Sequence, residues 1–499
     1  MQIPFSTIDA LFSDRVEQHP DKALFHYNDS TYTFRECDRL VQLTADALQS
    51  FGLVRKRFVG LVSTNRPEFV VAYLAILRAG GIVVPINPRL GRDELEYILS
   101  DACVPLVLHP SGLSLQIEGT DQPLIGDGCI DMSVMVVDRH LLSTAPFFPE
   151  NLDDVAVCIY TSGTTGRAKG ALLTHRALMH NARMCSDGLG SRPREECFVT
   201  VLPLFHAFAA SACMLHALWC SARMLLIEQF NPADLLRRMA QHDATVFMGV
   251  PAMYAVLAQM QDVPDIPGWW LNVSGGAPLP QVVSDRFCEK FSMLIHEGDG
   301  PTECGPATSI NPVRGPVKVG TIGLPLIDVE MKIVDETGRE LPRGEIGEII
   351  VRSPSNFCGY LNQPEETART VVDGWVHTGD LGTCDADGYF SIVDRKKDML
   401  IVGGLNVYPR EVEEYLLQHP AVAQCAVVGK NDGIRGEIPV AFVVLRENAS
   451  LSLPDLKTFL RDKIAVYKIP RELHCVDSMP RNATGKFLKT VLRQLLEKE

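Results

Sequence analysis

The densest chemistry in this chain lies in one run of hydroxyls, glycines and a lysine: Tyr160-Thr-Ser-Gly-Thr-Thr-Gly-Arg-Ala-Lys-Gly170. Glycines leave backbone N–H groups free to close around phosphate oxygens, and the hydroxyls of Ser162, Thr164 and Thr165 add donors. Lys169 supplies a compact positive charge suited to a polyphosphate. Val155 to Tyr160 reads as a buried strand, so the loop starts where a strand ends. It is not a Walker A loop: Ala168 stands where that motif's second glycine belongs, and Gly170 where its Ser/Thr belongs. A plain surface turn is the competing reading, and the density of the cluster argues against it.

Further motifs follow in order: Gly275-Gly276-Ala277-Pro278, Gly300-Pro301-Thr302-Glu303, Trp375-Val376-His377-Thr378-Gly379-Asp380, Asp394-Arg395-Lys396-Lys397-Asp398 and Pro480-Arg481-Asn482-Ala483-Thr484-Gly485-Lys486. Together with Thr161 to Gly170 they resemble the adenylate-forming superfamily of acyl-CoA synthetases, firefly-type luciferases and peptide-synthetase adenylation domains. Among these the chain looks most like the fatty-acyl-CoA ligases, and the resemblance reaches from residue 160 to 486. It implies an ATP-dependent acid–thiol ligase that forms an acyl-AMP, releases pyrophosphate and passes the acyl group to coenzyme A.

The resemblance also assigns roles. Thr161, Ser162, Gly163, Thr164, Thr165, Gly166 and Lys169 would cradle the ATP phosphates, with Gly276, Ala277, Asp299 and Gly300 nearby in the nucleotide site. Glu303, with the Thr164 hydroxyl, would hold Mg²⁺, a hard cation that takes oxygen ligands. Thr302 would hydrogen-bond the α-phosphate or the substrate carboxylate. Asp380 can accept from both ribose hydroxyls, and Arg395 would contact the same ribose. Lys486 would bridge the acyl carboxylate and the α-phosphate as charge redistributes in the in-line transfer. Lys397 matches the hinge on which a small domain turns. In a second orientation of that domain, Gly403-Gly404-Leu405-Asn406 would line a tunnel for the pantetheine arm; the competing reading of the two glycines is a simple turn.

Two positions depart from the family pattern. Asp299 stands where an aromatic residue usually stacks on adenine, so adenine is held differently here or ATP binds more weakly. Ala168 replaces a frequent proline, at a cost in loop rigidity. Leu202-Pro-Leu-Phe-His206-Ala-Phe208 resembles the segment lining the acyl pocket, with His206 near the carboxylate or else a core histidine. No acid occurs between Val199 and Ile227, which disfavours an amino-acid substrate. The walls expected of the pocket (His206, Val250, Ser274, Gly275, Gly276, Thr302) offer little charge to meet a second carboxylate. A monocarboxylic acid with an apolar tail follows, a fatty acid ahead of an aromatic one. The rivals are a ligase that loads an acyl-carrier protein, and a nucleotide-binding relative that has lost catalysis.

The elements that position these residues read as layered α/β structure. Phe58 to Val62, Ile82 to Val84, 244–250 and 271–274 look like strands, and Glu68 to Ala79, 174–187 and 251–261 like helices, which is the rhythm of largely parallel sheets. After about residue 325 the pattern alternates. Val329 to Val334 and Ile346 to Val351 read as strands with Asp335 to Gly338 as a turn. Pro409 to Gln418 and Pro454 to Ile464 read as helices, and Val422 to Val428 and Ile438 to Leu445 as strands. The expected fold is a large N-terminal domain of layered sheets and helices, residues 1–394, with a small mobile α+β C-terminal domain, residues 395–499.

Composition sets outer bounds. At 499 residues the chain exceeds one hydrophobic core, and 46% apolar with 22% charged residues is ordinary for a globular protein. A net charge of -14 argues against nucleic acid as the partner. The 14 cysteines show no CxxC pair and read as mostly buried, reduced thiols in a cytoplasmic protein. Neither terminus reads as a targeting signal. Phe198 to Ala222 lacks Asp, Glu, Lys and Arg, and a buried strand followed by a buried helix is expected there in place of a membrane span. The partners expected are small molecules, and oligomeric state is left open, a homodimer included.

Overall fold

The computed structural model describes residues 3–53, 55–111, 113, 115, 117–123, 131–138, 142, 155–161, 167–191, 195–432, 436–481 and 487–496. The architecture is mixed α/β in two compact units, Met1–Met331 with Val351–His377, and Lys332–Ile350 with Thr378–Glu499. This division falls elsewhere than the 394/395 joint read from the sequence. The reason is a strand pair: Trp375–Cys384 runs antiparallel to Phe390–Arg395 and sets Asp380 opposite Arg395, tying together residues on either side of that joint.

The larger unit holds two big sheets. In the nine-stranded one, Ala23–Tyr27, Arg223–Leu226, Cys197–Thr200, Val246–Gly249, Leu271–Ser274 and His296–Asp299 run parallel, and antiparallel strands close both edges. The carboxyl ends of parallel strands are where such sheets bind ligands, and Val250, Gly275 and Gly300 begin at those ends. The eight-stranded sheet is parallel only across Val155–Thr161, Ile82–Ile86, Phe58–Val62 and Leu106–Pro110; its other pairings are antiparallel. The expectation of largely parallel sheets therefore holds for one sheet and is corrected for the other.

Local signals explain the helices. Thr174 accepts from the Ala177 N–H at 3.0 Å and starts His175–Leu189, which Gly190 ends in the left-handed region. Pro251 opens Pro251–Leu257, where its missing N–H costs nothing. The acid-free stretch becomes the buried strand Cys197–Thr200, then a π-helical turn, Ala209–Leu215, and a short helix, His216–Cys220. Among the described residues no helix is long and apolar enough to cross a membrane. Most of the described cysteines are buried.

In the smaller unit Gly436–Leu445 pairs with Val422–Asp432, Leu400–Val402 and Glu472–Cys475. The helices Pro409–Leu416 and Leu453–Leu460 supply Val412, Leu416, Leu456 and Leu460 to one apolar core. Lys489–Leu496 covers a second core with Leu492 and Leu496.

Candidate active site

Strands Val155–Thr161 and Lys169–Thr174 are antiparallel neighbours, with Thr161 opposite Lys169 and Tyr160 opposite Gly170. The strands on either side of the glycine- and threonine-rich stretch are thus antiparallel partners. Ser162, Gly163, Thr164, Thr165 and Gly166 lie outside the described residues. Gly170 has no room for a side chain, since a Cβ there would lie 2.7 Å from Cys158 Sγ.

Lys169 is not a solitary charge. It is 5% exposed, its Nζ pairs with the Glu366 carboxylate from the helix Pro364–Thr370, and it lies 5.2 Å from the centre of the Tyr360 ring. The Tyr360 hydroxyl in turn donates to Glu303 Oε1 at 2.8 Å. Burial, and then the Glu303 carboxylate, push the Tyr360 pKa far above its ordinary value, so the phenol stays a donor. A chain of contacts therefore links the root of the loop to the Thr302-Glu303 motif through Tyr360, with Glu366 pairing the lysine from the side, and no sequence motif singled out either residue.

Thr302 and Glu303 sit in a single 3₁₀ turn, Thr302–Cys304, after the strand His296–Asp299. A Cβ on Gly300 would fall 1.8 Å from the Pro306 carbonyl oxygen, so only glycine fits where the chain doubles back. Three buried polar side chains pin the return. Ser355 Oγ donates to the Cys304 carbonyl at 2.8 Å, Asn181 donates to the Ala307 carbonyl at 2.9 Å, and Ser211 Oγ donates to Asn181 Oδ1 at 2.9 Å. Asp299 is half-buried, and its backbone carbonyl accepts from both the N–H and the hydroxyl of Thr308 at 2.9 Å.

Gly275, Gly276 and Ala277 follow the strand Leu271–Ser274, with Gly276 at a φ of +76°. Ser274 is fully buried, and its hydroxyl has no hydrogen-bond partner among the described residues. A Cβ on Gly275 would touch the Phe208 ring at 3.2 Å, so the segment after His206 packs directly on this glycine turn. His206 itself is half-buried, and its Nδ1 accepts from the Phe208 N–H at 3.3 Å.

In the smaller unit, buried Asp380 holds Arg395 Nε at 2.8 Å and takes its own N–H to the Thr378 hydroxyl at 3.1 Å. Lys397 is exposed, and desolvation of its ammonium by the surrounding chain lowers its pKa below the ordinary lysine value. Its neighbours are paired: Lys396 with Glu348 at 3.1 Å and Asp398 with Arg493 at 2.6 Å. Gly403 and Gly404, at φ +58° and +82°, form the two-residue turn of the hairpin Leu400–Val402 and Leu405–Val407. Both are exposed, with open space where a Cβ would lie. Lys486 lies outside the described residues. Among the described residues no three His, Cys, Asp or Glu side chains gather as a metal cluster. Glu303 is the described member of the expected magnesium pair, and Thr164 is outside.

These features have known counterparts. Residues 12–361 match the family described as AMP-binding enzyme, and residues 411–486 match the AMP-binding enzyme C-terminal domain. The long-chain-fatty-acid–CoA ligase of Bacillus subtilis is 34% identical, with 100% of this chain and 96% of that protein covered. The feruloyl-CoA synthase of Amycolatopsis sp is 33% identical, covering 96% of this chain and 97% of its own. ATP-bound MatB from Rhodopseudomonas palustris shares the fold with a TM-score of 0.86 at 30% identity, over 99% of both chains. The chain belongs to the AMP-binding enzyme family, the adenylate-forming enzymes, and within it to the AMP-forming acid–CoA ligases.

Proposed function

We propose that this ligase activates a monocarboxylic acid with an apolar tail, a fatty acid ahead of an aromatic one, and transfers it to coenzyme A. In the first half-reaction a carboxylate oxygen attacks the α-phosphorus of ATP, the bond to the β-phosphate oxygen breaks, and pyrophosphate leaves. In the second, the CoA sulfur attacks the acyl carbonyl, AMP leaves with the bonding electron pair, and the thiol proton is lost to solvent. The observation that carries this reading is the chain of contacts from Lys169 through Tyr360 to Glu303, which joins two family motifs far apart in sequence.

Each role rests on chemistry that suits the residue. Lys169 meets the ATP phosphates by exchanging its Glu366 partner for them, and the loop residues 161–166 supply N–H and hydroxyl donors. Glu303, its Oε1 oriented by Tyr360, suits Mg²⁺, which when bound neutralises phosphate charge. Thr302 hydrogen-bonds the α-phosphate or the acid. Asp380 and Arg395, already paired, take the ribose. Lys486 bridges carboxylate and α-phosphate, and Lys397 is the pivot of a C-terminal domain spanning 395–499. Gly403 and Gly404 let the pantetheine arm pass close to backbone. For the acid, Phe208 against Gly275 forms an apolar wall, and the buried Ser274 hydroxyl next to it, which has no hydrogen-bond partner among the described residues, is a neutral donor. The long-chain and feruloyl relatives bracket the two acid classes considered.

Pyrophosphate release from ATP and Mg²⁺ across a panel of carboxylic acids, with and without CoA, tests this directly. Octanoate and longer acids are expected to outpace benzoate and cinnamate, and a CoA thioester is the expected product. Comparable turnover of malonate and octanoate would overturn the assignment of the acid. Acyl-AMP without thioester would move the acceptor to a carrier protein, and silence with every acid would leave a nucleotide-binding relative.

A further inference from the structure

The smaller unit contains an ion pair that none of the roles above uses. Glu413, on the helix Pro409–Leu416, meets Lys489 Nζ at 2.8 Å, and both side chains are only 17% exposed. Glu413 Oε1 also accepts from the Val427 N–H at 2.7 Å, which fixes the carboxylate on the central strands. Burial raises the Glu413 pKa, with Lys489 opposing it. Burial disfavours the Lys489 charge, and Glu413 with the nearby Asp394 and Asp398 carboxylates outweighs that, raising its pKa. A charged pair placed at such cost is weak evidence for stability, because an apolar pair of similar shape would serve as well or better.

Position gives the pair another meaning. Lys489 opens the last helix, three residues beyond Lys486. On the far side of that lysine the chain is also held: Arg481 bridges Phe487, the Arg481 guanidinium lies 4.3 Å from the Phe487 ring centre, and the Leu488 N–H donates to the Pro480 carbonyl at 2.9 Å. One helical turn on, Arg493 pairs with Asp398, the neighbour of Lys397. Both flanks of residue 486 are thus anchored, and the deepest anchor is Glu413.

We propose that Glu413 is a positioning residue for Lys486: through Lys489 it fixes the segment that delivers the lysine ammonium to the acid and the α-phosphate. The inference rests on the role of Lys486 in adenylation. It predicts a selective defect, since the second half-reaction does not need that ammonium. A displacement of about 1 Å at a reacting group costs on the order of 100-fold in rate.

The test measures the two half-reactions separately, with the acid of highest turnover in the panel above. Acid-dependent ATP–pyrophosphate exchange reads the first, and transfer of the synthetic acyl-AMP to CoA reads the second. Glu413→Gln preserves size and the bond to Val427, and it is expected to slow exchange by about 10- to 100-fold while transfer stays within about twofold. Lys489→Met should reproduce that split, and Lys489→Arg, which keeps the pair, should restore exchange to near its original rate. Exchange unchanged in both Glu413→Gln and Lys489→Met, or equal loss of both half-reactions, would overturn the proposal. If Glu413→Gln does not fold, the two Lys489 variants decide it. Lys486→Ala separates the underlying reading: if it leaves exchange intact, the role of Lys486 itself is wrong. If it abolishes exchange and the Glu413 and Lys489 variants do not alter it, only the positioning role falls.

Discussion

The two units keep their functional charges in different company. In the larger one, Lys169 is enclosed, paired with Glu366 and covered by the Tyr360 ring. In the smaller one, Arg395 pairs with Asp380 while its own side chain remains 40% exposed. Removing one partner of an enclosed pair strands the other in a poor dielectric, whereas an open pair is screened and contributes little to stability. A charge change at Lys169 should therefore register as lost stability, and one that leaves the exposed Arg395 behind as altered ligand binding.

Substitutions can break or sharpen this contrast. The largest effect is expected at the turn before Thr302. Gly300→Ala forces a Cβ into the Pro306 carbonyl and should cost about 3 kcal/mol of stability or more, measured by denaturant unfolding, with loss of adenylation. Lys169→Met comes next, at about 2 kcal/mol, because Glu366 loses its partner. If that variant unfolds at the same denaturant concentration as the parent, the enclosure of Lys169 is not what distinguishes the units.

A buried histidine gives the larger unit a pH signature. His216 is fully enclosed: Nδ1 donates to the Ala212 carbonyl at 3.2 Å, and Nε2 accepts from the Ser191 hydroxyl at 3.0 Å, an arrangement of the neutral ring. Burial, partly opposed by the bond to Ala212, lowers its pKa to about 4. The unfolded chain therefore binds the proton first. Stability falls as pH drops through 6.5, the ordinary value of histidine, and the loss levels off below about 4. About 2 kcal/mol should disappear between pH 7 and pH 5, and His216→Gln should flatten that slope in unfolding measured at both pH values. The smallest change in stability belongs to the other unit: Asp380→Asn leaves an Arg395 side chain that is 40% exposed and should move stability by less than about 1 kcal/mol, yet raise the KM for ATP about tenfold.

What the sequence disclosed follows the same division. The glycine turns at 275–276, 300 and 403–404 were legible because close approach and positive φ demand glycine, a requirement visible in a single residue. The antiparallel pairing on either side of the phosphate loop was not, since strand direction depends on a partner and a short apolar run does not name one. Tyr360 and Glu366 escaped notice because their contacts, Tyr360 to Glu303 across 57 residues and Glu366 to Lys169 across 197, are distant in sequence, and they lie in no hydroxyl-rich or glycine-rich run. Asn181, Ser211 and Ser355 are single polar residues inside otherwise apolar or unremarkable segments, and only folding brings them to the backbone around Thr302.

The Glu366 carboxylate on Lys169 has one more consequence. A bare, waiting ammonium would collect whatever anion the surroundings supply, inorganic phosphate first of all. A carboxylate tethered to the same fold competes at a local concentration in the millimolar range or above, whatever the medium contains. A monovalent visitor that offers one contact loses that competition. On the proposed role of Lys169, a triphosphate that reaches the lysine through several contacts at once would replace the resident where a single contact would not. On that reading the internal counterion would act as a threshold that admits polyanions and turns simple anions away.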